Sequence, residues 1–319
     1  MKLEVVMVMG YPASGKSKLT ADYVACGHER LNRDESGGKV IDLLPKMISF
    51  LKAGKNVVLD NLFVTAEQRK PFVEAAKKAG ANVKCDLMMT SIEDSTINAL
   101  HRMWQKHGKI FFDPSDLKGV NDSNMFPIAV LFKYRKEYEK PSTSEGFSSI
   151  REVEFHRLKS VFHTNGAFIF DYDGTLRTSK NSKLKFPTCP EEVVIMPGRK
   201  EKMQALARAG HLLLGVSNQS GIARMQMGSS EAEGCEAAEA AFYETNRQLG
   251  LTIDCVYCKH NVPPNCYCRK PQSGLGVHLI CKYNLDPTKC VYVGDQTTDK
   301  TFAKRLGMVF EYAEQFFES

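Results

Sequence analysis

The sequence predicts an α/β protein built from two doubly wound parallel-sheet domains in series. Three observations carry that expectation. Short, nearly continuous apolar runs of the kind buried in parallel strands alternate with segments of helical spacing. A glycine-rich loop with a phosphate-binding pattern follows the first run. Another run, near the middle of the chain, ends in two aspartates one residue apart. At 319 residues the chain has the length of two ordinary domains, and 43% apolar with 25% charged residues can fill two cores without a long polar tract. A disordered or fibrous chain is excluded on that composition.

The elements of the first domain follow from period and punctuation. Leu3 to Met9 reads as a buried strand, Lys16 to Ala25 as a helix, Ile41 to Ala53 as a second helix and Asn56 to Asp60 as a strand ending in a carboxylate. Ala66 to Ala79 is helical and closed by Gly80, and Val83 to Met89 is a third strand. Pro141 to Ser149 has loop composition, and Ile150 to Leu158 alternates like a last strand. Ala167 to Phe170 then opens a new alternation, with strands near His211 to Val216 and Cys290 to Val293. The expected domains are therefore residues 1–160 and 161–319.

Charge, cysteines and apolar runs bound the function classes. The chain carries a formal charge of +6, with 25 Lys and Arg against 20 Asp and Glu through residue 160, a modest bias toward a polyanionic partner. No apolar run approaches the roughly 20 residues that span a bilayer, so neither a membrane nor a secretory segment is expected, and a cytoplasmic protein is. Of ten cysteines, Cys26, Cys85, Cys189, Cys235, Cys281 and Cys290 are scattered and read as free thiols. The other four crowd into residues 255 to 268, which is the density of a metal site and not of a disulfide framework.

Residues Gly10 to Ser17 match G-x-x-x-x-G-K-[ST] between a strand and a helix. In such a loop Gly10, Ser14 and Gly15 let backbone amides turn onto phosphate oxygens, Lys16 reaches the β and γ phosphates of ATP, and Ser17 can ligate Mg²⁺. The segment Asn32, Arg33, Asp34 is similar to the N-R-D of polynucleotide kinases. That resemblance implies Asp34 as general base for an attacking 5′-hydroxyl and Arg33 as a substrate contact; the bare position also suits a helix N-cap. Asp60, followed by Asn61 and Arg69, resembles the strand-end Asp and downstream N-to-R spacing of the same kinases, implying Asp60 at Mg²⁺ and Arg69 at substrate. Arg102 and Lys106 lie four apart on one helical face, where members of that family carry basic lid residues; a solvated basic face is the other reading.

Phe168 to Thr175 reads F-I-F-D-Y-D-G-T, an apolar strand followed by D-x-D-G-T. Residues two apart project on one side of an extended chain, so Asp171 can attack phosphorus while Asp173 exchanges a proton. Gly174 permits a tight turn, and Thr175 is placed to hydrogen-bond and orient the loop. The pattern is the signature of the haloacid dehalogenase superfamily of phosphatases. The resemblance implies Ser217 and Asn218 at phosphate oxygens, Lys270 beside the aspartyl phosphate, and Asp171, Asp173 and Asp295 at Mg²⁺, with Asp295 preferred to Asp299.

Ser217 to Arg224 and the later C-x-H…C-x-C before Arg269 and Lys270 look like the subgroup of histidinol-phosphate and heptose-bisphosphate phosphatases. The resemblance implies zinc on Cys258, His260, Cys266 and Cys268, a loop stiffened to deliver Arg269 and Lys270, and Cys255 as an alternative ligand. Only one helix, Ser230 to Leu249, fills the stretch after Gly221, so the phosphatase domain is expected to be capless and its site open. The order of the two halves resembles the bacteriophage-type polynucleotide kinase-phosphatases. That implies an ATP-dependent 5′-hydroxyl kinase and 3′-phosphatase acting on DNA or RNA ends, with a functional link to a nucleic-acid ligase. A small-molecule kinase fused to a sugar-phosphate phosphatase is the alternative, and the oligomeric state is open.

Overall fold

The computed structural model describes residues 3–157, 161–181, 183–262 and 266–318. The chain forms two compact units. One comprises Met1–Ala99 and Val120–Leu158, the other Leu100–Gly119 and Lys159–Ser319. The expected boundary near residue 160 falls outside the described residues. Residues 100–119, which that boundary leaves in the first domain, instead belong to the second unit.

In the first unit, β1 (Glu4–Met9), α1 (Lys16–Ala25), β2 (Glu29–Leu31), α2 (Arg33–Ser36), α3 (Leu44–Lys52) and β3 (Val57–Asp60) are followed by α4 (Ala66–Lys78) and β4 (Asn82–Met88). The first eight residues of α5 (Ile92–His107), then α6 (Ala129–Glu137) and β5 (Ser149–Val153), complete it. The sheet is fully parallel in the order β2-β3-β1-β4-β5. The single helix expected from Ile41 is split into a 3₁₀ turn, Val40–Leu43, and α3, because Pro45 fixes a new first turn. The short strand β2 had no sequence signal of its own. Met7, Met9, Leu59, Phe63 and Phe72 are centred in the core. Register places Val8 beside Asp60, so the carboxylate emerges at the sheet edge where β1 runs into Gly10.

The second unit repeats the architecture. It contains β6 (Phe168–Phe170), the antiparallel pair β7 (Arg177–Ser179) and β8 (Val193–Ile195), α7 (Arg199–Arg208), β9 (Leu213–Asn218), α8 (Ser220–Ala223) and α9 (Glu231–Leu249). Then come β10 (Asp254–Cys258), α10 (Gly274–Tyr283), β11 (Val291–Gly294), α11 (Thr297–Leu306), β12 (Val309–Tyr312) and α12 (Ala313–Glu318). Its parallel sheet runs β10-β9-β6-β11-β12. The order reverses on either side of β6, whose carboxyl end is thus a topological switch point where α/β sheets bind ligands. Phe170, Tyr172, Ile222, Phe242 and Phe316 share its core. Among the described residues no helix is long and apolar enough to cross a membrane.

Candidate functional site

In the first unit the loop after β1 takes the shape that its glycines permit. Gly10 has φ +146, and a Cβ there would stand 2.8 Å from Met88 Cβ and 2.9 Å from Ser14 Oγ. Ala13 is left-handed at φ 60, a conformation few alanines adopt. Thr90 Oγ1 donates to Ser14 O at 2.8 Å and Asn98 Nδ2 to Ala13 O at 2.9 Å, so the loop is tied down from outside its own motif. Ser14 Oγ is buried without a partner, a polar atom aimed into the loop. Lys16 Nζ donates to Gly10 O at 2.9 Å and Tyr11 O at 2.7 Å.

Ser17 and Asp60 come together, with Ser17 Oγ donating to Asp60 Oδ2 at 3.3 Å. Thr20 donates to the same oxygen at 3.3 Å, and Arg30 Nη2 at 2.6 Å. Arg30 was not singled out in the sequence, since one arginine on a three-residue strand has no motif. The N-R-D segment is joined to this cluster through Asn32, whose amide donates to Asp60 O at 2.8 Å and accepts from Asp34 N at 2.7 Å. Asn32, and not Asp34, is therefore the cap of α2. Asp34 is exposed and ion-paired with Arg33, also exposed. Asn61 accepts from Arg33 N at 3.1 Å and fixes the same turn.

Two expectations for this unit are corrected. Arg69 is fully buried and makes a two-pronged ion pair with Glu145, Nε to Oε2 at 2.6 Å and Nη2 to Oε1 at 2.8 Å, while Nη1 donates to Phe63 O and Glu139 O at 3.0 Å each. Its donors are consumed inside the unit, so it is a structural arginine and not a substrate contact. Arg102 and Lys106 lie on the part of α5 that belongs to the second unit. That part continues into Ile110 and Phe111, which are buried. Hydrophobic packing, which the i, i+4 spacing of two cations does not report, decides their placement.

In the second unit Asp171 stands one residue past β6, with its N–H bonded to Val293 O of β11. Lys270 Nζ reaches Asp171 Oδ1 at 2.6 Å, Asp299 Oδ1 at 2.7 Å, Tyr292 Oη at 2.9 Å and Val216 O at 3.0 Å. Burial pushes the Asp171 carboxyl up against the opposing pull of Lys270. Burial alone would lower Lys270, but Asp171, Tyr292 and Asp299 outweigh it and hold the ammonium charged. Asn218 fixes the backbone of Lys270, accepting from its N–H at 2.9 Å and donating to its carbonyl at 3.2 Å. Arg269 Nη1 donates to His260 O at 2.9 Å.

Asp171, Asp295 and Asp299 offer carboxylate oxygens within 4.8 Å of one another. Asp295 Oδ1 is buried without a partner and burial raises this carboxyl, both of which fit an oxygen-ligated cation. Gly174 has φ +88, and a Cβ there would lie 2.6 Å from Asp295 Oδ2, so only glycine lets the loop close on that carboxylate. Asp173, expected at Mg²⁺, does not join these three converging carboxylates and instead accepts from two neighbours. Arg177 Nε donates to Oδ1 at 2.8 Å and Gln219 Nε2 to Oδ2 at 2.6 Å. Gln219 also donates to Ser217 Oγ at 2.8 Å. Arg177, two residues past the D-x-D-G-T motif, and Gln219, inside the Ser217–Arg224 segment, escaped the sequence reading; an arginine four residues past an aspartate on a turning chain was the available signal. Thr175 Oγ1, expected to orient the loop, is buried with no partner, and the turn is held by backbone bonds to Tyr172 O.

Cys258, His260, Cys266 and Cys268 place their ligand atoms within 4.8 Å of one another. His260 turns Nδ1 inward, 3.3 Å from Cys258 Sγ and 3.2 Å from Cys268 Sγ. Three largely buried thiols and an imidazole fit structural zinc in both number and softness. Cys255 lies outside the cluster, on the strand facing Gly215.

Residues 167–317 match the family described as polynucleotide kinase 3 phosphatase. A bifunctional polynucleotide phosphatase/kinase of Schizosaccharomyces pombe is 29% identical over 162 residues, which are 50% of this chain and 36% of that protein. A D-glycero-β-D-manno-heptose-1,7-bisphosphate 7-phosphatase of Haemophilus influenzae is 30% identical over 142 residues, 42% of this chain and 73% of that enzyme. The crystal structure of D,D-heptose 1,7-bisphosphate phosphatase from Bordetella bronchiseptica, complexed with magnesium and phosphate, aligns with a TM-score of 0.40 at 25% identity, covering 46% of this chain and 79% of that one.

Proposed function

We propose, from the match of residues 167–317 to the polynucleotide kinase 3 phosphatase family, that this chain is a bifunctional nucleic-acid end-healing enzyme. The observation that carries the proposal is the presence, on one chain with this phosphatase, of a second unit whose phosphate loop holds Ser17 and the N-R-D turn against Asp60. Its kinase half transfers the γ-phosphoryl of ATP to a 5′-hydroxyl of DNA or RNA. Asp34 takes the hydroxyl proton, leaving its pairing with Arg33 as substrate enters. Lys16 exchanges main-chain carbonyls for phosphate oxygens.

In the phosphatase half, Asp171 attacks phosphorus with the oxygen that Lys270 does not hold. The P–O bond to the 3′ oxygen breaks, and Asp173 supplies the proton that this oxygen needs. Water then attacks the aspartyl phosphate, returns a proton to Asp173 and frees inorganic phosphate and Asp171. Lys270 neutralises charge throughout, Ser217 and Asn218 line the phosphate position, and Arg269 contacts the strand. Mg²⁺ on Asp171, Asp295 and Asp299, and Mg²⁺ at Ser17 and Asp60, would supply charge neutralisation at each centre; zinc on the Cys/His loop would supply rigidity. The healed ends are substrates for a nucleic-acid ligase.

A sugar-phosphate phosphatase is the second reading, favoured by the match that extends over 73% of a heptose-bisphosphate phosphatase. Among the described residues, the β7–β8 hairpin and α7 separate β6 from β9, and α8 and α9 separate β9 from β10, inserts short enough to support a site open to a polymer end. Specificity constants for a 3′-phosphorylated oligonucleotide and a sugar bisphosphate, each at two salt concentrations, separate the readings. The oligonucleotide should be preferred, with a constant that falls steeply with salt. An equal or better sugar bisphosphate, insensitive to salt, would transfer the assignment to the small-molecule class.

A further inference from the structure

The imidazole of His260 has two faces, and only one points at the thiols. Its Nε2 lies 2.6 Å from Asp113 Oδ1, a carboxylate almost 150 residues earlier in the chain. Asp113 opens the 3₁₀ turn Pro114–Leu117, where its own N–H donates to Asp116 Oδ2 at 3.0 Å. A carboxylate on the far nitrogen of a ligating histidine fixes the tautomer, orients the ring and raises its basicity toward the metal. Nothing in the Cys/His motif foretells this group, because it comes from residues 100–119.

The same segment is fastened around the loop at further points. Tyr267, between two of the cysteines, donates its N–H to Phe112 O at 3.0 Å. The rings of Trp104 and Phe112 meet His278 of α10 at centroid distances of 5.3 and 6.3 Å, and His101 Nδ1 lies 3.4 Å from Cys281 Sγ on the same helix. Ile110 and Phe111 are buried. The segment thus lies against both the cysteine loop and the helix that follows Lys270.

We infer that Asp113 is an outer-shell residue of the Cys/His metal site, and that a metal there clasps residues 100–119 to the phosphatase unit. The inference rests on zinc as the metal of that site, as proposed above. One ion then orders both the loop bearing Arg269 and Lys270 and the segment bearing Arg102 and Lys106.

The test uses the full chain purified without chelator, as wild type, Asp113→Ala and Asp113→Asn. Zinc content per chain and zinc release to a competing chelator are measured, together with backbone hydrogen exchange over residues 108–119 with and without metal. Wild type should hold one zinc, Asp113→Ala should release it about 10–100-fold more readily, and Asp113→Asn, which keeps an acceptor, should fall between. Removing zinc from wild type should accelerate exchange in residues 108–119 and at Tyr267. Wild-type retention of zinc in both variants, or unchanged exchange on metal removal, overturns the clasp while leaving the metal site standing. A wild-type chain that binds no zinc overturns both.

Discussion

Lys270 is the residue on which the phosphatase centre turns. It is buried between two buried carboxylates, Asp171 and Asp299. Replacing Lys270 with Met removes the cation, so the Asp171 carboxyl, which burial already pushes up, must take up a proton or face Asp299 as a like charge. Breaking a buried pair from one side costs about 3–5 kcal/mol. Urea unfolding of the Lys270→Met chain should show a loss of that order in the phosphatase unit, together with loss of phosphate release; an unchanged midpoint would mean that the carboxylates are accommodated without it. Asp171 stands one residue past an apolar strand and Lys270 in the loop between β10 and α10, and both were singled out from the order of the motifs. Asp299 was named only behind Asp295, and Arg177 and Gln219 were not singled out, since their contribution is a distance across the fold and the sequence records only their order.

Between elements, the clearest lesson is Arg69. An arginine eight residues past Asn61 reads as a ligand for phosphate, yet it locks α4 to the 3₁₀ turn Thr143–Glu145, which lies about 75 residues away in the chain. Glu145 titrates accordingly. Burial by itself would raise its carboxyl, but bonds from Arg69 and from the Ser142 N–H outweigh burial and hold it below the ordinary glutamate value. A carboxyl depressed in the folded state contributes stability that is fully present above the unfolded value of about 4.3 and is lost as pH falls through the lower, folded value. The excess stability of wild type over Glu145→Gln should therefore be constant near neutrality and shrink in acid. A difference that stays constant to well below the ordinary glutamate range, or grows, would contradict the pairing. Strands and helices of strong period were readable to within a residue or two, as at Lys16–Ala25. The 3₁₀ turn before α3 and the short β2 were not, because proline at a helix start and three-residue strands leave no period to detect.

At the scale of the molecule, two parallel α/β units each bring their candidate site residues to the carboxyl edge of a sheet, and the two parallel sheets followed from alternation and motif order. The assignment of residues 100–119 to the second unit did not, since a continuous helical pattern through α5 gives no hint of where its packing partners change. The central claim is that one chain heals both ends of a broken strand with two separable sites. An oligonucleotide carrying a 5′-hydroxyl and a 3′-phosphate, incubated with γ-labelled ATP and Mg²⁺, tests it directly against wild type, Asp34→Ala and Asp171→Ala. The account predicts that wild type labels the 5′ end and releases the 3′ phosphate, that Asp34→Ala loses only the label, by at least about 100-fold, and that Asp171→Ala loses only phosphate release. Hydrolysis of a generic phosphate ester by wild type with neither end of the oligonucleotide altered would contradict it.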